Sequence, residues 1–312
     1  MTMTKTRDIP SRLNALLCAG IICAVAFQLF LMPLVLRGHL WAMFLIVALG
    51  VFLNTPFWSL IHEAIHKNFN ANGKTNDWTG RFMSVLFGAS FEILRFGHLS
   101  HHRFNRDWES EYYDPRKRRK IIVAADHYFK MLGGLYLTEV VTSFLIAILP
   151  LSLAKKAARA LIASDMHYNS IASTLLKPEK LVRVRIDCVW IIIVYAASLS
   201  FFGPNWPVLA FLIAGRAVTI SLMDNAYHYG TPSDNSVMAK ELKTPMLFSR
   251  FILHFNHHDT HHHNPGLPWA QLSKAHAARG GEYHEDLIPA LLAQFKGPIK
   301  IDADQKIAEA AE

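Results

Sequence analysis

The chain has 312 residues, and 52% of them are hydrophobic, so its composition favours a membrane protein over a soluble one. The net charge of +8 would also suit a nucleic-acid-binding protein, but the long apolar stretches of the chain disfavour that function. Three cysteines, Cys18, Cys23 and Cys188, lie in apolar runs without metal-ligand spacing, so neither a disulfide framework nor an iron–sulfur site is indicated. Histidine, with 17 residues, is the remaining candidate metal ligand.

Four stretches are long and apolar enough to cross a bilayer, which takes roughly 20 residues of helix. They are residues 13–36, 40–61, 186–202 and 206–223. The first is too long for a signal peptide and has no A-x-A cleavage pattern, so we expect a retained anchor. Only RGH separates the first two stretches and only GPN the last two, which predicts two tight helical hairpins. We predict an all-α integral membrane protein with one domain over residues 1–312 and a flexible tail at 300–312.

A fifth apolar segment, residues 131–153, contains Glu139 and is broken by Pro150. If this segment crossed the membrane, the early and late histidine clusters would lie on opposite faces. We therefore predict that it is interfacial or re-entrant.

Lysine and arginine residues predict the orientation. They are concentrated before the first span and in the long loop that ends at Arg185, whereas the short turns contain only Arg37. Because such residues favour the cytoplasmic side, we expect both termini and the histidine clusters to be cytoplasmic, at a bacterial inner membrane. The basic run RKRRK at 116–120 is interpreted as a patch that faces lipid headgroups, or as a docking site for an acidic protein.

Three histidine clusters carry the chemistry. The first, HEAIH, places His62 and His66 four residues apart on one helical face. Taken alone it matches the zinc protease motif H-E-x-x-H, with Glu63 as general base. The other two clusters, HLSHH and HDTHH, have the spacing i, i+3, i+4, which predicts three imidazoles along one face of a helix. Eight histidines exceed the three protein ligands of a catalytic zinc ion and suit two metal ions, for which iron is compatible.

In this order and between paired spans, the boxes H-x-x-x-H, H-x-x-H-H and H-x-x-H-H resemble those of the membrane-bound fatty acid desaturase superfamily, which includes hydroxylases and carotenoid ketolases. The stretch HDTHHHNPGLPW is similar to the third box of that family, with Pro265, Pro268 and Trp269 in family positions. The resemblance implies a cytoplasmic, helical, non-haem di-iron centre. Its implied ligands are His62, His66, His98, His101, His102, His258, His261 and His262, with His228 of DNAYHYG as a ninth.

Other residues near the boxes have open roles. The role of Asp224 and Asn225, which precede His228, is in doubt. Three carboxylates are candidates to accept N–H bonds from ligand imidazoles, or are solvated: Glu63, Asp107 and Asp259. Histidines that flank the third box without a ligand role are His254, His257 and His263. Isolated histidines without an assigned role are His39, His127, His167, His276 and His284.

The resemblance implies that the irons use O2 to remove hydrogen from an unactivated C–H bond of a lipid or acyl substrate from the bilayer. An alkene is the product of a desaturase, and an alcohol that of a hydroxylase. Aromatic candidates to line the substrate channel are Phe57, Trp58, Phe69, Phe91, Phe96, Phe104 and Trp190. No cytochrome signature or G-x-G-x-x-G loop is present, so we expect an external electron donor: a ferredoxin, rubredoxin or cytochrome with its reductase.

The leading hypothesis is an oxygen-dependent acyl-lipid desaturase, and the alternative is a lipid or carotenoid hydroxylase or ketolase of the same superfamily. An intramembrane zinc metalloprotease is supported only by HEAIH. A metal transporter is a further alternative, but it would require polar residues in mid-span, where the chain has mainly Arg216.

Overall fold

A computed structural model describes residues 8–104, 111–153, 156, 174–232 and 238–301 of the chain. Asp107, His167 and the residues beyond Ile301 lie outside the described residues. The protein is mostly helical, as predicted, and its strands are only two residues long.

The first hairpin consists of α1 (Ser11–Val35) and α2 (Leu40–Ile65). Helix α1 contains a π-helical turn at Phe27–Leu31, and α2 contains a 3₁₀ turn at Val51–Leu53. Helix α2 does not end at residue 61, where the apolar stretch ends, but continues into HEAIH. The first histidine box therefore lies on the same helix as the second predicted span.

After this hairpin, α3 (Gly73–Phe87) and α4 (Phe91–Phe104) lead to the second box. The second hairpin consists of α7 (Pro178–Phe202) and α8 (Trp206–Ala226). Helix α7 begins before the predicted span because Pro178 is at the first helical turn and the polar residues that follow can form helix. Many large apolar side chains of both hairpins are exposed, among them Leu16, Trp41, Leu49 and Trp190, as expected for a surface in contact with lipid.

The segment between the hairpins is bent. Helix α5 (Lys120–Phe129) and helix α6 (Leu135–Ile148) meet at a π-helical turn, Lys130–Gly134, in which Gly133 has a φ of 125°. Glycine suits this left-handed conformation, which a side chain would strain. A Cβ at Gly133 would also lie only 3.2 Å from Ala217 Cβ on α8.

The contacts of α5 and α6 with the rest of the protein show the direction in which this segment runs. On α5, His127 Nε2 lies 2.8 Å from Gln294 O, and the side chain of Gln294 is bonded to Asn225 at the end of α8. Along α6, Ser143 O accepts from Cys188 Sγ and Ala147 O from Arg185 Nε, so α6 runs back toward the start of α7. By length and composition Lys120–Ile148 could also cross a membrane. The contacts support the re-entrant interpretation. Helix α5 lies near the end of α8 and the end of α6 lies near the start of α7, and these two points are on the same side of the second hairpin.

Arg216 is buried within α8, where an unpaired charge would be unfavourable. Its Nη1 donates to Leu86 O, Phe87 O and the hydroxyl of Tyr195, at 3.1, 2.6 and 2.7 Å. The guanidinium of Arg216 therefore donates hydrogen bonds to carbonyl groups at the end of α3. These bonds explain why a charged residue is buried within α8.

The C-terminal part of the chain carries the third box and packs against α2 and α8. It contains α9 (Met246–Phe251), α10 (His258–His263), α11 (Trp269–Ala278) and α12 (Leu287–Ala293). Strands β1 (Tyr112–Tyr113) and β4 (Ile299–Lys300) pair in parallel, as do β2 (Leu242–Lys243) and β3 (Glu285–Asp286). Ile299 and Lys300 thus lie in a strand, and the part of the predicted tail beyond Ile301 lies outside the described residues.

Candidate metal centre

The histidine boxes are presented by helices of very different length. His62 lies in the last turn of α2 and His66 directly follows that helix, whereas the second box lies on α4. The third box lies on α10, which has only six residues. His228 follows the end of α8. The structure brings all nine predicted ligands together in two groups.

The first group, called group A, contains five imidazoles whose ring nitrogens lie within 4.8 Å of one another. Its members are His62, His66, His98, His102 and His261. His98 Nε2 lies 2.8 Å from His66 Nε2 and 3.0 Å from His102 Nε2. His102 Nε2 lies in turn 3.0 Å from His261 Nε2.

The second group, called group B, contains four imidazoles: His101, His228, His258 and His262. All four are buried. His101 Nε2 lies 3.0 Å from His228 Nε2 and 3.3 Å from His262 Nε2, and His262 Nε2 lies 3.2 Å from His258 Nε2. His228 Nδ1 is 3.2 Å from Met238 O, a contact that places the proton on Nδ1 and the lone pair on Nε2, the atom that faces group B.

Each H-x-x-H-H box supplies both groups, so the prediction of one shared face was too simple. On α4, His98 and His102 point into group A and His101 into group B. On α10, His258 and His262 point into group B and His261 into group A. Positions i+3 and i+4 are about 100° apart around a helix, so adjacent histidines can serve two neighbouring sites.

The donor set fits a cation in each group. An imidazole nitrogen carries one proton or one lone pair, so a nitrogen with two such neighbours cannot form a normal hydrogen bond to both. Two nitrogen ligands about 2.1 Å from one ion and at right angles to each other are about 3.0 Å apart. The six Nε2 separations, 2.8 to 3.3 Å, match that value. Within the described part of the chain, neither ring nitrogen of buried His62 has a hydrogen-bond partner.

The protonation states agree with this arrangement. Burial, and then the neighbouring imidazoles, hold the pKa well below its ordinary value in five of the histidines. These five are His98, His102, His258, His261 and His262. Their rings are therefore neutral at pH 7, which is the form that binds a metal ion.

A family model described as fatty acid desaturase matches residues 38–289, a range that contains all three boxes and His228. The chain belongs to the fatty acid desaturase family. No curated protein and no solved structure matches it significantly. As a family member the protein is an oxidoreductase of the desaturase and hydroxylase type, and its apolar helices make it an integral membrane protein.

Glu63 of this desaturase-family protein joins the first and third boxes. Its Oε2 accepts the backbone N–H of Trp269 at 3.1 Å, while its Oε1 lies 3.9 Å from His62 Nδ1, beyond hydrogen-bond distance. Trp269 Nε1 donates to Asn14 Oδ1 at 2.8 Å. Trp269 of the third box thus fastens α11 to α1 and α2, and one carboxylate oxygen of Glu63 is engaged in this contact.

The contacts of Asp259 are not with a ligand imidazole, whose N–H it was a candidate to accept. Its Oδ2 accepts from Arg279 Nη2 at 2.7 Å, and its Oδ1 accepts from Ala239 N at 3.3 Å. The third-box acceptor that sequence reasoning missed is Glu241, which is buried and contacts His257, Thr260 and His276. No motif marks Glu241, because it becomes a neighbour of the third box only through the fold.

A cavity of about 270 Å³ opens beside both groups. It touches His98 of group A and His101 of group B, and residues of the segment Lys120–Ile148 form one wall. Its apolar lining includes Trp58, Phe87, Leu94, Leu135 and Ile220. Its polar lining includes Lys130, Tyr136, Thr138, Glu139 and Asp224.

Among the aromatic residues considered for a channel, Trp58 lines this cavity. Phe57, Phe69 and Phe91 are in the packed core, and Trp190 lines a separate groove. The two polar residues before His228 have different surroundings. Asp224 lines the cavity, while Asn225 Nδ2 donates to Gln294 Oε1 at 2.6 Å.

Proposed function

We propose that the protein is an oxygen-dependent di-iron desaturase that introduces a double bond into a fatty acyl chain or related lipid. The observation that carries this proposal is the pair of histidine groups, A and B, beside one mainly apolar cavity. A donor set of imidazoles alone is compatible with iron. The two groups would hold one iron each, with five ligands in group A and four in group B.

The irons, when bound, would supply oxygen-dependent removal of hydrogen from an unreactive C–H bond. The chain itself supplies burial and orientation. Eight of the nine imidazoles are buried and His102 is half-buried, so bulk water is kept from the centre. The bond from Trp269 N–H to Glu63 fastens α11 to α2, and the contact of His228 Nδ1 with Met238 O orients the His228 ring.

The cavity supports an apolar substrate that enters from the bilayer. Its volume is near the lower end of the usual range for ligand pockets, so we infer that it holds the reacting segment of a longer chain. The segment would lie against Trp58 and Leu94 with its C–H bonds toward His98 and His101. We infer that the centre faces the cytoplasm of a bacterial inner membrane.

Electrons would come from a separate ferredoxin, rubredoxin or cytochrome with its reductase. The exposed basic run 116–120 supports an acidic carrier, because complementary charge speeds association.

The test is expression in a host with a compatible electron donor, followed by metal analysis and lipid mass spectrometry. Two irons per chain and a lipid that has lost two hydrogens are expected. A lipid that has gained one oxygen would indicate the hydroxylase or ketolase alternative. A purified chain with zinc and no iron would contradict the proposal.

A further inference from the structure

Glu241 is a buried carboxylate behind the third box. It immediately precedes β2 and forms an antiparallel bridge with His257, the residue before α10. Only 4% of its side chain is exposed, so its charge must be satisfied within the protein.

One carboxylate oxygen of Glu241 holds the middle of the third box. Oε1 accepts the backbone N–H of Thr260 at 2.6 Å and the hydroxyl of Thr260 at 2.5 Å. Thr260 lies between His258 and His261 and is fully buried. A helix of six residues is not stable by itself, so these two bonds help to fix the rotation of α10 about its axis.

The other oxygen ties α10 to α11. Oε2 lies 3.1 Å from His257 Nδ1 and 3.3 Å from His276 Nδ1. The two imidazoles stack with their centroids 4.4 Å apart and an angle of 26° between the rings. Arg279 of the same region donates to Thr260 Oγ1 at 3.1 Å and to Asp259 at 2.7 Å. Glu241 thus connects β2, the third box and α11.

The same three residues, Glu241, His257 and His276, are close enough to hold a metal ion. A carboxylate has about four lone-pair positions, and three hydrogen bonds already point at Glu241, two from Thr260 and one from His257 Nδ1, while His276 Nδ1 lies 3.3 Å from Oε2. Burial would raise the pKa of Glu241, but the hydrogen bonds from His257 and Thr260 lower it overall, so the carboxylate is ionised. The contacts favour a network of hydrogen bonds over a third metal site.

We propose that Glu241 is a positioning residue for the metal centre, which directs the third-box histidines through its bonds to Thr260 and His257. Group B depends on it most, because α10 supplies two of the four ligands there but only one of the five in group A. This inference rests on the proposed di-iron centre. It assigns to Glu241 no contact with substrate or metal.

The test compares iron retention in the full-length wild-type protein and in Glu241→Gln. Both are loaded with ⁵⁷Fe and titrated with a chelator, and the iron left per chain is followed by Mössbauer spectroscopy. Removal of such a supporting group weakens metal binding by about 10- to 100-fold, and we expect a loss in that range. The iron lost first should be the one that is also missing in His258→Ala, a group B variant.

The matched control is Glu285→Gln, because Glu285 pairs with Lys240, the neighbour of Glu241 in the chain. It should retain iron as the wild type does. A second variant, Thr260→Val, removes the hydroxyl that binds Glu241 while it keeps the shape, and should show a smaller loss from the same site.

Thermal unfolding of the metal-free proteins separates positioning from general stability, since positioning predicts little change in Glu241→Gln. Equal iron retention in Glu241→Gln and wild type would overturn the proposal, as would a lowered unfolding temperature that accounts for the loss. If the wild-type protein held a third metal ion per chain that disappeared in Glu241→Gln, Glu241 would be a metal ligand and the positioning proposal would be wrong. A wild-type protein without iron would contradict the di-iron centre itself, and this inference with it.

Discussion

Groups A and B differ in how their ligands are held. Group A takes four of its five imidazoles from the ends of α2 and α4, which have 26 and 14 residues. Group B takes two of its four from the six-residue α10 and one from the residues after α8. A long helix orients its side chains through its own packing, whereas a short one depends on bonds from its neighbours.

Two metal sites with similar imidazole donors can therefore differ in how well they tolerate the loss of a ligand or of a supporting bond. Group A has one more ligand and a more rigid support. Group B has Glu241 and the carbonyl of Met238 as external supports. We therefore expect the iron proposed for group B to be lost more completely than that of group A when one ligand of its own group is removed.

The largest effect is expected for His228→Ala, which leaves group B with three imidazoles. One iron per chain and all measurable activity should be lost, as checked by metal analysis and lipid mass spectrometry. The exposed histidine His39, at the turn between α1 and α2, provides the control variant His39→Ala. If His228→Ala kept two irons, His228 would not be the ninth ligand.

His261→Ala removes the only group A ligand on α10 and leaves four imidazoles there. Loss of iron and of activity is expected, but iron should leave group A less completely than it leaves group B in His228→Ala. The control is His263→Ala, because His263 is 38% exposed and its Nδ1 donates to Asp259 O at 2.9 Å. It should retain iron, and equal effects of the two variants would contradict the register of the third box.

Sequence patterns predicted the local parts of this structure. Apolar length predicted the two hairpins, and the spacing within HEAIH, HLSHH and HDTHH predicted that their imidazoles converge. The division of each box between two groups could not be read from spacing, because it depends on where α2, α4 and α10 meet. Glu241 was missed for the same reason: its contacts with Thr260 and His276 link residues far apart in sequence.

Acidification tests the protonation of both groups in the metal-free protein. Burial and neighbouring imidazoles lower the pKa of His98 and His261 in group A and of His258 and His262 in group B. In the unfolded chain these histidines gain protons as the pH falls below about 6.5, while the folded state resists protonation. Stability is therefore full above that pH and falls below it, by up to about 1.4 kcal/mol per pH unit for each histidine.

The unfolding temperature of the metal-free protein in detergent, measured from pH 7.5 to 5.5, checks this sign. A value that stayed constant or rose with acidification would show that the rings are not held neutral. Bound iron should reduce the effect, because a metal ion competes with protons for the same nitrogens.

The smallest effect is expected in the cavity, which touches one histidine of each group. A Cβ added at Gly97 would overlap Glu139 Oε1, so Gly97→Ala must displace the wall of the cavity next to His98. Activity should fall about 10-fold, the lower range for a misfit of one carbon, while both irons remain. Gly20→Ala is the matched control, because a Cβ at Gly20 on α1 meets no atom within 4 Å. Loss of iron in Gly97→Ala would place the disturbance in the ligands of groups A and B, whereas unchanged activity would mean that the substrate does not use this cavity.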